Sequence, residues 1–159
     1  MTTNETIQPP IHELTITRTF DAPRDLVYTA WTDPGSMAQW FGPKSFTNPV
    51  CELDVQPGGA ILIHMRGPDG AVYPMTGSFQ EVVPPERLVF TSSAFAGVDG
   101  MFLLEDITTV TFAKENGKTR VTVHAIVTKA TPEAEGALAG MEEGWNQTLD
   151  KLADHLATI

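Results

Sequence analysis

The chain has 159 residues, of which 42% are hydrophobic and 19% are charged. This length suits a single domain with its own core, and the composition excludes an intrinsically disordered chain. Ten Lys and Arg against 20 Asp and Glu give a net charge of −10, which argues against nucleic acids and anionic membranes as partners because both attract basic side chains.

The amino-terminal segment divides into a tail and a first strand. Residues 1–11 are polar and end in Pro9-Pro10, so we expect a flexible tail, with residues 12–159 forming the single domain. Residues 13–20 alternate with period two and are rich in β-branched side chains, which predicts a strand.

Two short helices are predicted after this strand. Apolar residues recur at helical spacing from Leu26 to Trp31, and Asp33-Pro34 then interrupts the pattern. Residues 35–41 predict a second helix, which Gly42-Pro43 ends.

The middle of the chain has the pattern of an antiparallel sheet. Asn116-Gly117 is the strongest hairpin signal, because both turn positions require a positive φ. Helices do not alternate with the strands, which excludes a parallel α/β sheet. Six further strands are predicted, at residues 50–55, 60–65, 72–83, 87–95, 106–114 and 120–128.

A long helix is predicted to end the chain. Thr131-Pro132 is a typical helix start, and one apolar face continues over about five turns through Leu138, Met141, Trp145, Leu149, Leu152 and Leu156. Such a face must pack on the sheet. We therefore expect an α+β fold in which a curved antiparallel sheet of about seven strands wraps around this helix.

Few residues show the spacing of a catalytic or metal site. Cys51 has acidic neighbours and no nearby cation, which favours a packed, unreactive thiol. The four histidines have no metal-ligand spacing, and no cofactor-binding motif is present. No secretory signal or membrane span is visible, so a cytoplasmic location is expected. We predict no catalytic residues, no metal and no cofactor.

Five segments in order resemble the activator of heat-shock-protein ATPase homologue-like family, within the START/SRPBCC superfamily that includes the birch-pollen allergen. They are Ala22-Pro23-Arg24 through Ala30-Trp31-Thr32-Asp33-Pro34, Gln39-Trp40-Phe41-Gly42-Pro43, Pro57-Gly58-Gly59 with Met65-Arg66-Gly67-Pro68-Asp69-Gly70, Asn116-Gly117-Lys118-Thr119-Arg120-Val121, and Glu143-Gly144-Trp145 with Leu149-Asp150-Lys151-Leu152. The resemblance implies the helix-grip fold and, from the better-known relatives, binding of hydrophobic small molecules.

A helix-grip sheet leaves space for a pocket, which aromatic and methionine side chains can line adaptably. Such side chains recur on the predicted strands and helices, and we expect the ligand to contact Trp40, Phe41, Met65, Tyr73, Met75, Phe79, Phe90, Phe102, Met141 and Trp145.

Two other functions are consistent with the sequence. The pocket could belong to an aromatase/cyclase- or hydrolase-type enzyme, whose acid or base would be Tyr73, His64, His124, Glu105 or Asp106. Strand alternation places Glu105 and Asp106 on opposite faces, so only one of them can point inward. A protein-interaction module, stress- or co-chaperone-like, would instead have a filled interior and an exposed apolar patch. The sequence leaves open whether the chain forms a homodimer.

Overall fold

The structure, a computed structural model, describes residues 12–96, 102–132 and 138–159, without the side chains of residues 95, 96, 102 and 103. The predicted tail, residues 1–11, therefore lies outside the described residues. The elements in chain order are β1 (His12–Phe20), α1 (Arg24–Thr32), α2 (Pro34–Trp40), β2 (Thr47–Leu53), β3 (Ala60–Arg66), β4 (Val72–Val83), β5 (Arg87–Ala96), β6 (Phe102–Glu115), β7 (Lys118–Ala130) and α3 (Met141–Leu156).

The seven strands form one open antiparallel sheet in the order β1-β7-β6-β5-β4-β3-β2. This confirms the predicted α+β architecture and strand number. The hairpin between β6 and β7 turns at Asn116 and Gly117, which have φ of 53° and 80°. The strand β6 begins at Phe102, four residues before the predicted start, because it continues to pair with β5 as far as Ala96.

Both short helices pack their apolar faces into the core. In α1, Val27, Tyr28, Ala30 and Trp31 are buried. The Asp33 carboxylate accepts a hydrogen bond from the backbone N–H of Ser36 at 2.9 Å, which caps the first turn of α2. The Trp40 indole N–H donates to the Ala30 carbonyl at 3.1 Å, so the two helices are fixed to each other.

The last helix differs from its prediction at its start. The prediction was one continuous helix from Thr131-Pro132. Residues 138 and 139 are helical, but a turn at Gly140, with φ −96° and ψ 6°, interrupts the helix, and α3 begins at Met141. Residues 133–137 are outside the described part of the chain. Glycine favours such a break because it has the greatest backbone freedom and a low helix propensity.

The rest of α3 has the predicted amphipathic pattern. Leu149, Leu152 and Leu156 are buried, whereas Glu142 and Asp150 are exposed. The guanidinium of Arg18 on β1 donates to the Asp150 carboxylate at 2.6 Å. The helix is therefore attached to the sheet by an apolar face and by a polar contact at its edge.

Candidate functional site

A pocket of about 280 Å³ lies between the inner face of the sheet and α3 and opens to solvent on one side. Its walls come from β3, β4, β5 and β6, from the segment that follows α2, and from the first turns of α3. The lining residues are Phe41, Gly42, Pro43, Met65, Met75, Phe90, Ser92, Ala94, Leu104, Asp106, Thr108, Gly140, Met141, Gly144, Trp145 and Thr148.

Six of the ten residues expected to contact a ligand line this pocket: Phe41, Met65, Met75, Phe90, Met141 and Trp145. The structure places Trp40 fully in the core, and Phe79 lines a separate void of only about 10 Å³. The half-buried Tyr73 packs on Phe46 with ring centroids 6.2 Å apart and is not among the lining residues. The side chain of Phe102 is outside the described part of the chain.

Aromatic contacts hold the wall that α3 contributes. The Trp145 ring is stacked on Trp31, with centroids 6.3 Å apart and planes inclined by 19°. It also meets Phe41 edge-on at 6.4 Å. Because Trp31 is itself buried against Trp40, the half-buried Trp145 rests on a rigid aromatic base while its remaining surface faces the pocket.

A small polar cluster interrupts the apolar lining. The Ser92 hydroxyl donates to Oδ1 of Asp106 at 2.6 Å, and the Thr108 hydroxyl donates to the same oxygen at 3.4 Å. Burial raises the pKa of Asp106, and the two hydroxyl hydrogen bonds partly oppose this by lowering it. The site therefore holds an acid whose charged form is disfavoured by its surroundings.

Strand geometry explains why these three side chains meet. Ser92 and Asp106 are directly paired across β5 and β6, and Leu104, Asp106 and Thr108 share one face of β6 because side chains alternate with period two. From sequence, Asp106 is predicted only as one of five acid or base candidates, and Ser92, Thr108, Ala94 and Leu104 are not predicted as site residues. The alternation on β5 and β6 was the signal that could have found them.

The other acid or base candidates lie away from the pocket. Glu105 is on the opposite face of β6 from Asp106, and the His124 ring pairs with the Glu13 carboxylate across β7 and β1. His64 alternates with the buried Ile63 and Met65 on β3 and, like Tyr73, does not line the pocket. In the described lining, Asp106 has no second titratable partner.

A lysine on α3 fixes the segment that forms the pocket's edge. The Lys151 ammonium donates to the backbone carbonyls of Phe41, Gly42, Pro43 and Phe46 at 3.1–3.3 Å. Burial lowers the pKa of this ammonium. These contacts join α3 to the end of α2, so the positions of Phe41, Gly42 and Pro43 depend on Lys151.

Other possible chemistry finds less support in the geometry. Burial, with a smaller contribution from the Asp33 charge, raises the pKa of Cys51 to about 11, which makes its thiol a poor nucleophile near neutral pH. Within residues 12–96, 102–132 and 138–159, no three His, Cys, Asp or Glu side chains come together as a metal site. Nor does this part of the chain include a helix long and apolar enough to cross a membrane.

Comparison with known proteins identifies relatives by family and by fold. A family model described as "Activator of Hsp90 ATPase homolog 1-like protein" matches residues 21–157. No curated protein matches the sequence.

Several solved structures are similar over most of their length. A protein from Mycobacterium smegmatis is 28% identical, with a TM-score of 0.73, over 89% of this chain and 88% of that one. A protein from Nitrosomonas europaea is 27% identical, with a TM-score of 0.74, over 92% and 95%. An AHSA1 protein from Silicibacter pomeroyi is 25% identical, with a TM-score of 0.76, over 92% and 98%.

Proposed function

The chain belongs to the activator of Hsp90 ATPase homolog 1-like family, and on that premise we propose that it binds a hydrophobic small molecule in the pocket between the sheet and α3. Proteins of this helix-grip family commonly bind ligands. The observation that carries the proposal is the pocket of about 280 Å³, which is close to the lower end of the usual range for small-molecule sites.

The lining matches an apolar ligand. Three methionine thioethers and three aromatic rings are among the lining residues, together with Leu104 and Ala94. Burial of apolar surface contributes roughly 25 cal/mol per Å² removed from water, so a ligand that fills this pocket gains most of its affinity from these walls. Methionine adapts to ligand shape because its side chain is unbranched and polarizable.

The two alternative functions have less support. A hydrolase or cyclase needs acid and base groups within hydrogen-bond reach of its substrate, and Asp106 is the single titratable side chain of the described lining. An interaction module would have a filled interior. An exposed apolar patch also has little support among the described residues. Their exposed large apolar side chains are Val72, Val83, Ile107 and Ile159. The first two lie at opposite ends of the 12-residue β4, and the others lie on β6 and after α3.

Filling the pocket tests the proposal. Ala94 lines the pocket on β5, and Ala94→Phe places a ring in the space that a ligand would occupy. Binding of 1-ethylnaphthalene, a compact apolar probe, is followed by NMR chemical-shift titration. We expect wild-type protein to bind with shifts centred on the lining residues, and Ala94→Phe to weaken binding at least about tenfold.

The matched control is Ser93→Phe, which adds the same ring on the opposite face of the same strand. It should bind the probe as wild type does. Equal weakening in both variants, or probe-induced shifts that lie outside the pocket in wild-type protein, would contradict the proposed site.

A further inference from the structure

The charge inside the pocket is unbalanced. Of the sixteen lining residues of the described chain, Asp106 alone has an ionisable side chain, and none is basic. Leaving a carboxylate unpaired in apolar surroundings is costly, because the charge loses its hydration without gaining a partner. The described lining therefore provides no positive charge to stabilise the ionised form of Asp106.

None of the ion pairs among the described residues includes Asp106. Lys151 directs its ammonium at the backbone carbonyls of residues 41–46. Lys129 is paired with Glu105 in the β6–β7 register and belongs to the part of the sheet that does not line the pocket. Neither side chain forms a hydrogen bond or an ion pair with Asp106 in the described part of the chain.

One oxygen of the Asp106 carboxylate accepts no hydrogen bond from the residues that the structure describes. Both described hydroxyl donors, Ser92 and Thr108, bond to Oδ1. No described residue donates to Oδ2. Because the two hydroxyls fix the orientation of the carboxylate, Oδ2 is a preorganised acceptor within an otherwise apolar wall.

The surrounding groups suit a positive charge with an apolar body. Trp145, Phe41 and Phe90 line the same pocket, and aromatic ring faces attract organic cations. The net charge of −10 on the whole chain also favours the approach of cations over anions.

The following inference rests on the proposed function. We propose that the ligand is a small apolar molecule with one cationic nitrogen, an ammonium or amidinium, and that this nitrogen pairs with Oδ2 of Asp106. The apolar body contacts the rings and thioethers, and the nitrogen supplies the counter-charge that the protein lacks. Asp106 is thus the residue that selects ligands by charge.

Three naphthalene probes of different charge test this inference: cationic 1-naphthylmethylamine, neutral 1-ethylnaphthalene and the carboxylate anion of 1-naphthaleneacetic acid, titrated into ligand-free protein at pH 7.5. The amine and the ethyl compound differ only in replacing an ammonium by a methyl group. Charge-assisted pairing predicts that wild-type protein binds the amine at least about tenfold more tightly than the ethyl compound, with the acetate weakest.

Asp106→Asn supplies the matched variant. The asparagine Oδ1 can still accept from Ser92 and Thr108, so the pocket keeps its shape while it loses its charge. We expect the preference for the amine over the ethyl compound to disappear, so that the ratio of the two affinities falls to about one. If this variant does not fold, the comparison among the three probes in wild-type protein still tests whether the pocket prefers a cationic ligand.

The outcomes separate the two proposals. If the ethyl compound binds in the pocket but the amine gains no advantage, or Asp106→Asn keeps the preference, the charge inference is wrong and the proposed function stands. If none of the three probes binds in the pocket, the proposed function is contradicted as well.

Discussion

Asp106 is an inward-facing acid in a wall of apolar side chains, held by the hydroxyls of Ser92 and Thr108. Because burial raises its pKa in the folded chain, the folded state favours the protonated form more than the unfolded chain does. The preference for protonated Asp106 therefore contributes to the stability of the folded state. This contribution is fully present below the pKa that Asp106 has in the unfolded chain, and it is lost as the pH rises through the pKa that Asp106 has in the folded chain.

The raised pKa of Asp106 predicts that the effect of Asp106→Asn on the free energy of unfolding depends on pH. In ligand-free protein at pH 7, the variant should have a higher free energy of unfolding than wild type, because it removes a buried charge and keeps the acceptor oxygen. The advantage should shrink as the pH is lowered through the folded pKa of Asp106. Urea denaturation across this pH range measures it, and an advantage that does not change with pH would contradict the assigned burial.

Lys151 is the residue whose loss should most disturb the pocket edge. Lys151→Met keeps much of the aliphatic stem but removes the hydrogen bonds to the carbonyls of Phe41, Gly42, Pro43 and Phe46. The Phe41 and Pro43 carbonyls keep a second donor, from Asn48 and Phe46 respectively. We expect a loss of about 1.5–3 kcal/mol in the free energy of unfolding, the usual value for hydrogen bonds to a charged group. The exposed Lys114→Met is the control and should change stability by less than about 0.5 kcal/mol; equal effects in the two variants would rule out the proposed clamp.

Among the helices and strands, α3 and β4 each contain a glycine, and the two differ in the space available for a Cβ. A Cβ on Gly144 would lie 3.8 Å from Cγ of Pro43, an ordinary contact. A Cβ on Gly77 would lie 1.9 Å from the backbone oxygen of Thr91. The effect of an alanine on stability therefore depends on helix propensity at Gly144, whereas at Gly77 it depends on the close packing of β4 against β5.

The two alanine substitutions should therefore differ in sign. Gly144→Ala should stabilise the protein by up to about 1 kcal/mol, because alanine is the better helix former. Gly77→Ala should destabilise it by about 3 kcal/mol or more, since the backbone of β5 must move. Thermal and urea denaturation measure both, and destabilisation by Gly144→Ala would show that the first turns of α3 pack more tightly than this structure indicates.

The elements themselves were largely predictable from sequence because their signals are local. Period-two alternation, the Asn116-Gly117 turn and the apolar face of α3 each depend on neighbouring residues. The start of α3 was not predictable, since Thr131-Pro132 is a strong local start signal and the helical spacing continues through Gly140. Whether the backbone breaks there is decided by packing that the sequence pattern does not contain.

For the whole molecule, the arrangement of the sheet around α3 followed from the order of the elements, but the division between core and pocket did not. Trp40, Phe79 and Phe90 are equally apolar in sequence. Only the three-dimensional structure shows that Trp40 fills the core, that Phe79 lines a small void, and that Phe90 lines both this void and the pocket. Ser92 and Asp106 meet because β5 and β6 pair in a specific register, which sequence patterns alone do not fix.

Native mass spectrometry of the protein purified from its own host shows whether a small molecule occupies the pocket. We expect wild-type protein to carry a bound small organic molecule, Ser93→Phe to retain it, and Ala94→Phe to lose it. Wild-type protein with no bound mass, or the same bound mass at equal occupancy in Ala94→Phe, would contradict ligand binding in this pocket.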